Sequence, residues 1–256
     1  MIVFVGAGPG DPELITVRGA RLLAEADAVL WAGSLVPREL VDAHVRADAD
    51  VADSASMTLE EQVAFMVRHH EGGRLVVRLH TGDPAIFGAT GEQMRALDER
   101  GIVYEVVPGV SSFLAAAAAL PVELTAPGVS QTVIVTRQPG RTPVPDGQDI
   151  ASLAAHRATM AIFLSAGDLE RLQADLASSY PPETHVAIVQ RASWPEQVVV
   201  RCTIGTLAEA AREFGVERTA MILVGDAIGG KGGRSLLYDP TFAHGYRHVQ
   251  FEGEPE

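Results

Sequence analysis

Residues 1–16, MIVFVGAGPGDPELIT, decide how the rest of the chain is read. Ile2-Val3-Phe4-Val5 is a continuous apolar run, the pattern of a short strand buried on both faces. Gly6, Gly8 and Gly10 then fall at every second position, and Asp11-Pro12-Glu13 supplies an N-cap acid, a first-turn proline and a first-turn acid. The order is strand, glycine loop, helix, with the helix predicted over residues 12–26. Glycines there let backbone approach a partner closely, and the helix amides point at whatever occupies the loop.

A dinucleotide fold is the first candidate, and its fingerprint fails. G-x-G-x-x-G counted from Gly6 ends on Asp11, and counted from Gly8 ends on Glu13. A phosphate loop ending in G-K-[ST] is missing as well. The stretch reads either as a tight strand-to-helix turn or as a ligand-facing loop of another kind.

The 256 residues allow one large or two medium domains, and 47% apolar content is ample for a core. The net charge of −13, from 33 acids against 20 bases, argues against nucleic-acid binding, which needs a basic face. Lys231 is the only lysine, so any grip on anions falls to arginine, which suits fixed bidentate contact with carboxylates. No apolar run approaches a membrane span, and Met1-Ile2-Val3 enters a strand without a basic leader. The expectation is a soluble, cytoplasmic protein. Cys202 is the single cysteine and reads as a strand thiol rather than a nucleophile.

Further along, strand and helix signals alternate, which predicts parallel sheets with crossover helices. Strands are predicted at 28–31, 75–79, 104–107, 131–135, 159–164, 185–190, 197–204 and 219–224. The strand at 197–204 and a late one at 235–238 read as antiparallel additions. Thr58-Leu59-Glu60-Glu61 is a capping box, and Thr206 with Glu209 reads as a second. The chain is read as two α/β domains with mixed, mainly parallel sheets, one over 1–122 and one over 123–256. The acidic tail at 251–256 reads as a frayed end.

Ligands of open α/β sheets bind beyond the carboxyl ends of the strands. Three loops qualify: 6–11, 80–88 and 108–112, each rich in Gly, Pro and small polar residues. None carries a nucleophile–base pair, and G-x-S-x-G is absent because Gly109-Val110-Ser111-Ser112 continues with Phe113. Ser111 and Ser112 cap the following helix or hydrogen-bond a ligand. Asp83 caps the turn at 84–87 or accepts hydrogen bonds from hydroxyls or an ammonium. The histidines lack metal spacing and read as surface or helix-terminal groups, with His80 in the second candidate loop as the exception, and no metal is expected.

GAGPGDPELIT, RLHTGDPAIFG at 78–88, VPGVSS at 107–112, RASWPEQ at 191–197 and AMILVGDAI at 220–228 resemble, in order, the motifs of the tetrapyrrole methylases. WAGSLVP at 31–37 and TRQPGRTPVP at 136–145 are similar to the branch that methylates C11 of precorrin-4 in corrin-ring synthesis. The resemblance implies S-adenosylmethionine as methyl donor in a cleft between the two domains, an anionic tetrapyrrole substrate and a homodimer. On matching positions it implies donor contacts at Pro9, Thr81, Gly82, Asp83, Ile86, Ser111, Ser112, Leu164, Ala192, Thr219, Ala220 and Met221. It places Gly8, Gly10 and Asp11 on the tetrapyrrole side. Arg18, Arg21, Arg38, Arg78, Arg137, Arg141 and Arg191 form a pool of candidate carboxylate clamps.

One departure stands out. Uroporphyrinogen-III members carry an acid directly after the aromatic that ends the second strand; here Ala32 follows Trp31, so no proton-abstracting role carries over. Methylation at C17 or C20, or a cobalt-specific substrate, are the neighbouring readings. A nucleotide-dependent oxidoreductase is opposed by Asp11 and Glu13, and a non-catalytic corrinoid-binding protein would bind the ring without the donor.

Overall fold

The structure, a computed structural model, describes residues 1–230 and 232–247. Lys231 and the acidic tail at 251–256 lie outside the described residues. The chain forms two compact units: Met1–Leu120 with Val189–Val199 and Arg218–Met221, and Pro121–Ile188 with Val200–Glu217 and Ile222–Glu256.

The long N-terminal stretch alternates strand and helix. Its elements are β1 (Ile2–Gly6), α1 (Val17–Glu25), β2 (Ala28–Trp31), α2 (Arg38–His44), β3 (Asp50–Asp53), α3 (Leu59–Glu71), β4 (Val76–His80), α4 (Thr90–Asp98), β5 (Tyr104–Val107) and α5 (Ser112–Ala119). The sheet order is β3-β2-β4-β1-β5, with every pair parallel. Buried residues cover both faces, which is why β1 is buried at every position and reads as an unbroken apolar run. Val77 and Leu79 pack with Leu22, Leu23 and Leu40 on one face. Val76 packs with Val63, Met66 and Leu97 on the other.

The second sheet runs β6-β7-β10-β8-β9, formed by β6 (Val133–Arg137), β7 (Thr159–Phe163), β8 (His185–Gln190), β9 (Val198–Thr203) and β10 (Ala220–Val224). β6 and β7 are parallel while β7 and β10 are antiparallel, so this sheet is mixed. The helices α6 (Ile150–Ala154), α7 (Leu169–Ala177) and α8 (Leu207–Glu213) complete the set. Among the described residues no helix is long and apolar enough to cross a membrane.

Several local readings are corrected. The first helix is not continuous over 12–26. A 3-10 turn at Pro12–Leu14 ends at an extended Ile15, and α1 starts anew at Thr16, whose hydroxyl accepts from the Gly19 amide. Residues 235–238 form no strand: Ser235 caps a single 3-10 turn, Leu236–Tyr238. Thr206 is the N-cap residue of α8, as read, but its side chain makes no cap bond there and no capping box forms: its hydroxyl accepts from the Thr203 amide, and the Ala208 amide is satisfied by Gln173 of α7 instead. β3 and α6 were not anticipated. β3, Asp-Val-Ala-Asp, is short and flanked by acids at a sheet edge, and α6 spans barely more than one turn. His69 is buried rather than at the surface, with Nε2 3.0 Å from Asp50 and its ring tilted against Phe65.

The parallel register fixes where the loops emerge. Gly6 lies opposite His80, and Val5 lies opposite Val107. A Cβ on Gly109 would sit 2.2 Å from the Gly82 carbonyl oxygen, whereas one on Gly140 would meet nothing within 4 Å. Gly109→Ala should therefore cost about 3 kcal/mol of stability in urea unfolding, and Gly140→Ala less than about 0.5 kcal/mol. Equal effects would contradict the close loop packing.

Candidate functional site

The ends of β4, β1 and β5 are neighbours, so the loops that leave them lie side by side at one sheet edge. Their contacts are almost entirely main-chain. The Ala7 amide donates to the His80 carbonyl at 2.6 Å. Gly8 and Gly82 exchange two hydrogen bonds, 3.3 Å from the Gly8 amide and 2.8 Å from the Gly82 amide. Both glycines have positive φ, +81° and +59°, so the bridge depends on left-handed backbone that a side chain disfavours. A Cβ on Gly6 would lie 2.6 Å from backbone atoms of both Gly109 and Gly82.

Asp83 joins two of the loops. Its Oδ1 accepts from the Ala85 amide at 2.8 Å, capping the local turn, and its Oδ2 accepts from the Gly109 amide at 2.9 Å. Thr81 reaches the Leu35 carbonyl, and the Ile86 amide donates to the Asp83 carbonyl. Ser111 is buried at the N-cap of α5, but its side chain makes no cap hydrogen bond. Ser112 is the first residue of that helix.

A separate loop, at 191–197, packs on the first glycine loop. The Trp194 indole N–H donates to the Pro9 carbonyl at 2.9 Å, and the Asp11 amide donates to the Ser193 hydroxyl at 3.0 Å. A Cβ on Gly10 would fall 2.1 Å from the Trp194 ring. Sequence reasoning assigned only Arg191 and Ala192 from this motif and missed Ser193 and Trp194.

Backbone strain gathers in the same segments. Arg191, Ser193 and Thr219 are left-handed, with φ of +49°, +71° and +53°, and the Arg191 amide donates to the Thr219 carbonyl. Left-handed non-glycine residues are uncommon and a β-branched one is an outlier. Ala192, Ala220 and Met221 are buried beside them in sequence. Leu164, in the other unit, follows β7 with φ of +53° and is 73% exposed.

The arginine pool divides. Arg78 does not reach a ligand surface: it is buried under the sheet, bonded to Gln93, Gln62 and the carbonyls of Leu30 and Leu79. Burial lowers its guanidinium to about 10 while Asp53 acts the other way, so it stays cationic at neutral pH. Arg18 pairs with Glu105, Arg38 with Asp42, and Arg191 with Glu196, all solvent-accessible pairs. Arg137 organises its own loop through the carbonyls of Gln138, Thr142 and Pro143. Arg21 and Arg141 are exposed. The turn after β2 has Ala32 followed by Gly33, whose amide donates to Asp53. Burial raises the Cys202 thiol to about 11, which keeps it inert.

A profile of the Tetrapyrrole (Corrin/Porphyrin) Methylases matches residues 1–208. The chain belongs to this family. Among curated tetrapyrrole methylases, the cobalt-precorrin-4 C(11)-methyltransferase of Methanocaldococcus jannaschii is 47% identical over 98% of both chains. The precorrin-4 C(11)-methyltransferase of Pseudomonas aeruginosa is 46% identical over 96% of this chain and 98% of the relative. A solved cobalt precorrin-4 methyltransferase superposes with a TM-score of 0.86 at 46% identity, covering 89% of this chain and 95% of the other. A uroporphyrin-III C-methyl transferase from Thermus thermophilus, complexed with S-adenyl homocysteine, gives a TM-score of 0.74 at 30% identity, covering 90% and 99%.

His80 ends β4 just before the second loop. It is buried against Phe4, its Nε2 has no hydrogen-bond partner, and burial, with Arg78 repulsion second, brings its pKa down to about 3. The folded imidazole stays neutral while the unfolded one charges below about 6.5. Its contribution is thus present above that value and lost as pH falls toward 3. In urea unfolding between pH 6.5 and 4, His80→Gln should flatten the fall in stability by up to about 1.4 kcal/mol per pH unit. An unchanged slope would contradict the neutral, buried state.

Proposed function

We propose that the chain transfers a methyl group from S-adenosylmethionine to C11 of precorrin-4, metal-free or cobalt-bound, giving precorrin-5 in cobalamin synthesis. The observation that carries this is full-length similarity at 46–47% to relatives of that printed activity from an archaeon and a bacterium. The reading includes a homodimer in the cytoplasm.

The residues present fit such a donor. Gly6 and Gly109 pack where a Cβ would collide and Gly82 holds a left-handed backbone, leaving main-chain amides and carbonyls as the groups on offer. The sulfonium supplies an activated methyl, so the chain needs no nucleophile or metal. Its task is to align donor and acceptor and exclude water, and proximity of that kind is worth many orders of magnitude in rate. In this reading Thr81, Gly82, Asp83, Ile86, Ser111 and Ser112 orient the donor, helped by Ala192, Thr219, Ala220, Met221 and Leu164. Asp83 works by tying Ala85 and Gly109 together. Gly8, Gly10 and Asp11 face the ring, and Arg18, Arg21, Arg38, Arg137, Arg141 and Arg191 are available for its carboxylates. Arg18, Arg38 and Arg191 would each trade a surface pair worth under about 1 kcal/mol for a bidentate contact.

Incubation with methyl-labelled S-adenosylmethionine and precorrin-4, with and without cobalt, tests the activity; NMR of the product should place the label on C11. Label at C17 or C20, or none on the ring, would overturn the assignment. Asp83→Ala should weaken S-adenosylhomocysteine binding in calorimetry by about tenfold or more, since hydrogen bonds to a charged group are the strong ones. Unchanged affinity would remove Asp83 from the donor site.

A further inference from the structure

We propose that Ser193 and Trp194 are positioning residues: a two-point clamp that holds the Pro9–Asp11 loop in shape for the tetrapyrrole. The inference rests on the methyltransferase reading above and assigns it residues that similarity alone did not.

The loop has no regular structure between Gly6 and the turn at Pro12. The outer part of the loop is tied on both sides of Gly10. The Pro9 carbonyl accepts from the Trp194 indole, and the Asp11 amide donates to the Ser193 hydroxyl. Gly10 sits directly under the indole, at a distance no side chain could share. The clamp is itself braced. The Ser193 amide donates to the Gln197 side chain at 2.8 Å, the Trp194 amide to the Arg191 carbonyl at 2.9 Å, and the Gln197 amide to the Trp194 carbonyl at 3.0 Å. The Arg191 guanidinium lies 6.0 Å from the Trp194 ring centroid and is paired with Glu196. Ser193 holds a left-handed backbone to aim its hydroxyl, a cost of order 1 kcal/mol that the surrounding bonds offset.

The clamp makes none of the bonds that tie Gly82, Asp83 and Gly109 together. It acts on the segment that carries Gly10 and Asp11, the ring-facing candidates. Loss of the clamp should therefore weaken use of the ring substrate and spare the donor.

The test uses Trp194→Phe, which keeps an apolar ring and loses the N–H, and Ser193→Ala. Three readouts are taken: hydrogen exchange of a peptide covering residues 6–16, steady-state kinetics with precorrin-4, and S-adenosylhomocysteine affinity by calorimetry. Each variant should speed exchange in that peptide, lower kcat/KM for precorrin-4 by about 3- to 10-fold through KM, and leave S-adenosylhomocysteine affinity within about twofold. Unchanged exchange in both variants overturns the clamp. A parallel loss of S-adenosylhomocysteine affinity also overturns it, because the residues would then be general scaffold. A wild-type chain that leaves precorrin-4 unmethylated defeats the activity assignment instead, and the exchange measurement then decides the clamp by itself.

Discussion

Three backbone segments approach one another more closely than any side chain permits. Gly6, Gly82 and Gly109 stand at the ends of three adjacent parallel strands; hypothetical Cβ atoms on Gly6 and Gly109 fall 2.2–2.6 Å from neighbouring backbone, and Gly82 holds a left-handed φ of +59°. Parallel pairing alone brings strand ends together; only the loss of side chains lets the loops beyond them interlock. The consequence is a surface of fixed amides and carbonyls, held by main-chain bonds between the first two loops and by the Asp83 carboxylate between the second and third. Such a surface is stiff and poor in reactive groups. That suits chemistry in which the reagent already carries its own activation and the protein contributes geometry.

The chain is strongly acidic, with a net charge of −13, and its basic residues are almost all arginine. Three of the candidate arginines, Arg18, Arg38 and Arg191, pair with exposed acids. Exposed pairs of this kind are weak and exchange readily for a better carboxylate. Arg78 is the exception: buried among amide and carbonyl acceptors, it serves the fold.

The alternation of strand and helix in the first sheet was legible because each buried strand is an unbroken apolar run and each loop is marked by Gly and Pro. β3 was hidden, since Asp50 and Asp53 at a sheet edge look like loop. The break at Ile15 was hidden too, because Asp11-Pro12-Glu13 signals a helix start whether one turn follows or several. Of the site, the three glycine loops could be located from their punctuation. Asp83 could be singled out, with its role as a turn cap, but its tie to Gly109 was visible only in space. The contact of Trp194 with Gly10 spans more than 180 residues, and no local pattern encodes it. Arg78 misled for the opposite reason: a charge on a strand flanking a site reads as a clamp unless Gln62 and Gln93 are known to face it.

The central claim is that main-chain groups of the interlocked loops, rather than charged side chains, hold the methyl donor. A crystal structure of the chain with S-adenosylhomocysteine tests it most directly. The account predicts the nucleoside and amino-acid portions hydrogen-bonded to backbone atoms of residues 81–86 and 109–112. Density placed away from those loops, or held chiefly by arginine and carboxylate side chains, would contradict it.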